Sequence, residues 1–286
     1  MIKNIQLLLE TTTNEIKNNF DVAVLGLSGG VDSLVCATLA TLALGSKKVY
    51  CVHMPFGNTD ISIEGKFNDN SVRIANKLNV EQIWKPIGIL ANTISNHISA
   101  SSIPIFSSKP LSDLNMGNSR SRARMCVLYG IAHHLEMVLK KRVRVIGTGN
   151  LSEDFIGYDT KFGDSAADIF LIGELLKSEV YQLAEHFVEM GLIDKKMIDY
   201  TPSAGLWDGQ SDEKELGYSY TAMESSILKL RDSKTGQLHS DYENLNNPKS
   251  EKLSEIDLFV LKRHLSNRHK HLAPPNISLR EFCDEI

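Results

Sequence analysis

A strand-length apolar run, VAVLGL (22–27), passes through the turn SGG (28–30) into a helix-length run of small, mostly apolar residues (32–44). A strand with no polar alternation is covered on both faces, as a central strand of a parallel sheet is. The rest of the chain keeps the same rhythm. KVYCVHMP (48–55) predicts a second strand stopped by Pro55, 67–78 a helix, VEQIWKPI (80–87) a third strand, and VRVIGTGN (143–150) another, entered from a helical run over 123–139. Ile5, Leu8, Leu9, Ile16 and Phe20 form a loose helical stripe at the start, and 178–190 is an amphipathic helix closed by Gly191. Such alternation implies an α/β fold, a doubly wound parallel sheet with flanking helices. Its ligands belong at the carboxyl ends of the strands.

The turn itself suggests the ligand. A helix N-terminus offers about four free backbone N–H groups and a partial positive charge, which suit a phosphate. Gly29 and Gly30 let the backbone approach the anion, while Ser28 and Ser33 add hydroxyls. Asp32 would repel a bare phosphate, so its presence points to a cation between the two; Mg²⁺ takes one or two carboxylates together with phosphate oxygens. The P-loop pattern lacks its lysine here, and the dinucleotide pattern G-x-G-x-x-G is not matched. On the turn alone, a tight junction with an aspartate near the helix cap stands as the other reading.

Composition excludes several classes. The 286 residues are 42% apolar and 23% charged, enough to bury a full core. The formal charge of -4, from 31 basic and 35 acidic residues, gives no global attraction for nucleic acid. Cys36, Cys51, Cys126 and Cys283 have no C-x-x-C spacing, and three lie in apolar segments; they read as reduced thiols of a cytoplasmic protein. The first 20 residues lack a small-residue cleavage site, and the longest apolar run (34–44) falls well short of the roughly 20 residues a membrane helix needs. No membrane or nucleic-acid partner is expected. His133 and His134 are adjacent and cannot both face one metal from a helix, and His264, His269 and His271 lack zinc-ligand spacing.

Three downstream blocks carry chemistry. GNSRSRARM (117–125) places Arg120, Arg122 and Arg124 at alternate positions, so some of them point differently on a helix, or precede it; solvated surface arginines are the plainer reading. GTGNLSEDFIGYDTKFGDSAAD (147–168) follows a strand and packs Glu153, Asp154, Asp159, Asp164 and Asp168 more closely than a solvated face needs. TPSAGLWDGQSDEKELGYSY (201–220) mixes an aromatic, turn residues and acids without core periodicity. Two long polar interruptions, 99–119 and 231–255, read as loops.

SGGVDS resembles the pyrophosphate-binding loop of the N-type ATP pyrophosphatases, which release AMP and pyrophosphate. Within that group the order and wording of all four blocks resemble the NAD synthetase family, from about residue 20 to 220 and again at RHKHLAPP (268–275). Ser121 stands where that family usually has alanine, Gly205 where aspartate is frequent, and His271 where arginine is usual. A tRNA-thiolating relative would want reactive cysteines and a basic extension, and a nucleotide sensor would not need both Asp32 and Glu153 as metal ligands.

The resemblance implies a Rossmann-like fold of the adenine nucleotide alpha-hydrolase type spanning 1–286, with a core over about 20–220 and a C-terminal helical extension (221–286) completing the site. It implies ATP-dependent amidation of deamido-NAD by free ammonia. Asp32, Glu153 and Lys177 would be catalytic, the first two as Mg²⁺ ligands. Gly26, Ser28, Gly29, Gly30, Ser33, Met54, Thr148 and Ser203 would join Asp32 and Lys177 around ATP. Asn118, Arg122, Lys161, Asp164, Asp168, Glu215, His269 and Lys270 would bind deamido-NAD. By itself Lys177 also fits a solvated lysine at a helix start, and Met54-Pro55 a simple strand-ending turn. The family implies a homodimer, with the apolar helix around Met125–Val138 in its interface; an ordinary core helix is the alternative.

Overall fold

Among the described residues, five parallel strands form one sheet in the order β3-β2-β1-β4-β5: β1 is Val22–Gly26, β2 Val49–His53, β3 Glu81–Trp84, β4 Val143–Gly147 and β5 Ile169–Phe170. The computed structural model describes residues 1–56, 69–99, 111–199, 212–243 and 252–273. The chain runs outward from β1 through β2 to β3, then returns to the other side of β1 to lay down β4 and β5. The loops leaving β1 and β4 therefore diverge, opening a crevice at the carboxyl end of this pair. Ligands of doubly wound sheets bind in such crevices.

The helices are α1 (Ile5–Asn19), α2 (Val31–Leu44), α3 (Asp69–Leu78), α4 (Gly88–Ser99), α5 (Asp113–Leu139), α6 (Leu151–Phe155), α7 (Lys177–Glu189), α8 (Asp212–Leu216), α9 (Tyr220–Leu230) and α10 (Glu255–Asn267). The helix α2 is covered on nearly every side, and its small residues Ala37, Ala40 and Ala43 let neighbouring elements come close. It packs with α1, α7 and β1 in the main core, around Leu25, Leu34, Leu39, Leu183 and Phe187. Each such leucine contributes about 1.5–3 kcal/mol through burial. This clamps the start of α2, and with it the SGG turn, at the end of β1.

A second apolar cluster joins Leu151, Phe155 and Ile156, just after β4, to Met223 and Ile227 of α9 and Val260 and Leu261 of α10. The C-terminal helices are thereby fastened to the loop that follows β4. Among the described residues no helix is long and apolar enough to cross a membrane.

Several boundaries differ from the sequence reading. The strand expected over 143–150 stops at Gly147, because Asn150 caps α6 by accepting a hydrogen bond from the Glu153 amide at 3.1 Å. The interruption at 99–119 is helical from Asp113, where the Ser112 hydroxyl accepts from the Asn115 amide. All three block arginines consequently lie inside α5 and none precedes it. The two-residue β5 has no counterpart in the sequence reading. In 231–255, a bridge between Arg231 and Leu238 closes a turn in which the Asp232 carboxylate accepts from the Lys234 and Thr235 amides. Of the cysteines placed in apolar segments, Cys36 and Cys51 are buried free thiols, but Cys126 is exposed, since α5 turns that face outward. Cys283 lies outside the described residues.

Candidate active site

The turn after β1 is built to leave its helix end open. Gly29 adopts φ +89°, a conformation L side chains rarely take. Asn70 of α3 donates to its carbonyl at 2.7 Å and holds the turn from behind. The Ser28 hydroxyl accepts from the Gly30 amide at 3.2 Å and lies 3.1 Å from the Ser33 hydroxyl, which donates to the Gly30 carbonyl. Gly30 occupies the cap position of α2 with no side chain capping the helix. An anion can meet that end directly. Gly26 ends β1 beside the Met54 side chain, and Arg124, largely buried, donates to the Met54 carbonyl at 3.2 Å.

Across the crevice, three charged groups meet. The Lys177 ammonium, on a side chain 5% exposed, donates to Asp32 Oδ2 at 2.5 Å and to Glu153 Oε1 at 2.9 Å. Lys177 is thus no solvated lysine. Its pKa is raised: burial opposes the charge, but the two carboxylates more than offset it. Burial pushes Glu153 up to about 7 even though Lys177 pulls the other way. The Tyr220 ring lies 5.3 Å from the Lys177 ammonium, and its hydroxyl donates to Asp212 at 3.1 Å.

Several supporting residues escaped the sequence reading. Asn150 is fully buried; it caps α6 with its oxygen and donates its amide to Asp32 Oδ1 at 2.9 Å. Buried Glu224 accepts from the Ser152 hydroxyl and the Ser178 amide, and Ser152 in turn accepts from the Lys177 amide. Together they hold the first turn of α7 against α6. Asn150 lies inside the acid-rich block 147–168, but nothing local marks its partner, and Glu224 lies outside all the blocks.

The residues assigned to the acid substrate converge on the loop 157–164 with one outlier. The Thr160 hydroxyl donates to Asn118 Oδ1 at 2.7 Å, and Arg122 donates to the Lys161 carbonyl at 3.2 Å. Asp164 Oδ1 accepts from the Ser121 hydroxyl and the Thr160 amide, both at 2.8 Å. Lys161 donates to the His269 carbonyl, and Lys270 to the Gly157 and Asp159 carbonyls. Exposed Glu215 accepts from Tyr158 at 2.8 Å. Asp168 is the outlier: it accepts from the Val145 amide and from Tyr129, tying β4 to α5. Thr148 is half-buried just past β4. Ser203 and the segment 200–211 lie outside the described residues. Of the histidines, His264 packs its ring on Phe155 and bonds that residue's carbonyl at 2.8 Å, and His133 and His134 are exposed.

The family model for NAD synthase matches residues 1–274. The NH(3)-dependent NAD(+) synthetase of Methanocaldococcus jannaschii is 35% identical over 257 residues, covering 90% of this chain and 89% of that one. Among solved structures, the NH3-dependent NAD synthetase of Campylobacter jejuni superposes with a TM-score of 0.67 at 25% identity, over 96% of this chain and all of that one. An NMN synthetase from Francisella tularensis superposes with a TM-score of 0.72 at 25% identity, over 97% of this chain and 100% of its own. The chain belongs to the NAD synthase family and is an ATP-using enzyme of NAD synthesis.

Proposed function

We propose that the chain amidates deamido-NAD to NAD with free ammonia, through an adenylated carboxylate, releasing AMP and pyrophosphate. The observation that carries this reading is the pair of carboxylates, Asp32 and Glu153, facing one another across the open end of α2 with Lys177 between them. A carboxylate resists nucleophilic attack because attack adds charge to an anion. Transfer of AMP turns it into a mixed anhydride with a good leaving group, which ammonia then displaces.

The first step brings an anion to a polyanion, so neutralisation and in-line positioning dominate. Ser28, Gly29, Gly30 and Ser33 hold the pyrophosphate end of ATP, with Gly26, Met54, Thr148 and Ser203 around the rest. Asp32 and Glu153 would hold Mg²⁺. The fit is chemical: the pair already holds a cation, the Lys177 ammonium, and carboxylate oxygens suit a hard ion. Bound there, Mg²⁺ would screen the triphosphate from the incoming carboxylate. Lys177 would contact the same phosphates. Asn118, Arg122, Lys161, Asp164, Glu215, His269 and Lys270 bind the acid, and Asp168 supports that site from the end of β4. Residues 1–286 act as one unit, the helices after residue 220 completing the site.

The protein works in the cytoplasm as a homodimer through α5. That helix exposes Leu114, Met137, Val138 and Leu139, and beside β3 it borders an apolar groove lined by Ile83, Val127, Ile131 and Leu135. A second acid also has an observation behind it. The likeness to the NMN synthetase favours nicotinic acid mononucleotide as the group amidated. The curated relatives named for NAD, at higher identity, put the dinucleotide first. Incubation with ATP, Mg²⁺, ammonium and each acid in turn tests both; the expected products are AMP, pyrophosphate and the amide of the acid supplied, which is NAD from the dinucleotide and NMN from the mononucleotide. Formation of ADP, or a strict need for glutamine, refutes the reaction, and faster turnover of the mononucleotide reverses the order of the acids.

A further inference from the structure

We propose that Asp159 is a positioning residue: its buried carboxylate, paired with His271 and Lys270, docks the C-terminal turn that carries His269 and Lys270 onto the loop 157–161. The inference rests on the assignment of His269, Lys270 and Lys161 to the acid substrate. It concerns two residues, Asp159 and His271, that this assignment does not include.

The two segments grip each other from both directions. The Asp159 side chain is 4% exposed, with Oδ2 at 2.8 Å from His271 Nε2 and Oδ1 at 3.5 Å from the Lys270 ammonium. That ammonium also donates to the carbonyls of Gly157 at 2.7 Å and Asp159 at 2.8 Å. In return, Lys161 donates to the His269 carbonyl at 2.8 Å. Gly157, at φ +62°, has the Asn267 side chain standing where its own Cβ would be, so the end of α10 lies directly on the loop. The Asp159 side chain thus pairs with one residue assigned to the acid, Lys270, and holds in place the turn that carries a second, His269.

The physical reason is the burial of charge. An ionised carboxylate this enclosed is stable only beside cations, so lifting the turn away would leave Asp159 charged and unpaired. Lys270 alone is a long contact; His271 makes the short one. His271 is also faced by Asp154, whose carboxylate lies within 4.8 Å of the other two groups, and by the positive charge of Lys270. His264 and Arg268 flank it on the same stretch of chain. The contact with Asp159 raises the His271 pKa above its ordinary value. Docking is therefore complete below the ordinary histidine value of about 6.5 and is lost as pH rises through the higher folded value.

Steady-state kinetics and hydrogen exchange test this together. Asp159→Asn and His271→Gln are expected to raise KM for the acid roughly three- to tenfold while KM for ATP stays within about twofold. In the wild type, KM for the acid rises as pH climbs above about 6.5, and His271→Arg flattens that rise because its charge persists. In the substrate-free protein, backbone exchange over 267–273 speeds up in Asp159→Asn and His271→Gln and returns toward wild type in His271→Arg. Unchanged exchange in Asp159→Asn overturns the proposal. So does a wild-type turn that loosens on treatment with a chelator and tightens with Zn²⁺, which would make Asp154, Asp159 and His271 a metal site. If the wild type turns over neither acid, the assignment of substrate fails, while the exchange data still decide whether Asp159 docks the turn.

Discussion

The Lys177 ammonium lies 2.5 Å from Asp32, a contact that links the start of α7 to the start of α2 across the mouth of the sheet. With Glu153 at 2.9 Å, Lys177 is the cation that two enclosed carboxylates require in the ligand-free protein. On the proposed reading, a divalent ion held by the two carboxylates would leave the same ammonium to pair with phosphate.

Lys177→Met should abolish turnover and also destabilise the ligand-free protein. Removing one partner of a buried pair costs about 3–5 kcal/mol, at the low end here because Glu153 can take up a proton. Melting measured without nucleotide should fall by several degrees, and Mg²⁺ alone should recover more of it in the variant than in the wild type. Equal melting temperatures would show that Lys177 does not hold the pair.

Gly29→Ala places a side chain at φ +89°, costing roughly 1–2 kcal/mol of local strain. The expected outcome is a KM for ATP raised about tenfold or more, with KM for the acid little changed. An unaltered KM for ATP would remove the turn from the nucleotide site.

Asn150→Ala loses the cap of α6 and the amide that orients Asp32. Stability should fall by about 1–2 kcal/mol in denaturant unfolding, and turnover should demand a higher Mg²⁺ concentration. A shift in stability with an unchanged Mg²⁺ requirement would reduce Asn150 to a structural cap.

Acid sensitivity should centre in part on α10. Asp257 accepts from the Ser254 amide at 3.0 Å and from Lys229 at 2.6 Å, and its pKa drops to about 2 although burial opposes the drop. A lowered carboxylate stabilises above its unfolded value of 3.8 and loses that contribution as pH falls through about 2. Because Lys229 is exposed, the contribution is on the order of 1 kcal/mol. In Asp257→Asn, unfolding stability should drop at neutral pH and depend less on pH below about 4. Parallel curves for variant and wild type would contradict this.

Ile131→Arg puts a charge into the groove of α5 and should yield a monomer by light scattering where the wild type is a dimer. A monomeric wild type would end the proposal for that interface.

The central part of the fold was legible because burial on both faces leaves no polar alternation in Val22–Gly26, and because a glycine-rich turn with Asp32 has few uses at such a junction. Short or partly exposed elements were not legible. Ile169–Phe170 is too brief to show a period, and the first turn of α5 carries no apolar stripe because Asp113, Leu114 and Asn115 face outward. The acid-rich block announced that charge gathers after β4, yet it could not say which acids serve the fold. Asp168 holds the Val145 amide and Asp159 meets a histidine from the far end of the chain.

The one-dimensional pattern of apolar runs and glycines determined the parallel sheet, the open helix end and the kind of ligand it suits, since these follow from local periodicity and backbone freedom. Pairing was decided only in three dimensions. That Lys177 is a buried bridge and not a solvated lysine, that Asn150 steers Asp32, and that His271 closes on Asp159 all depend on groups far apart in sequence being brought to one strand edge, where burial makes an unpaired charge costly.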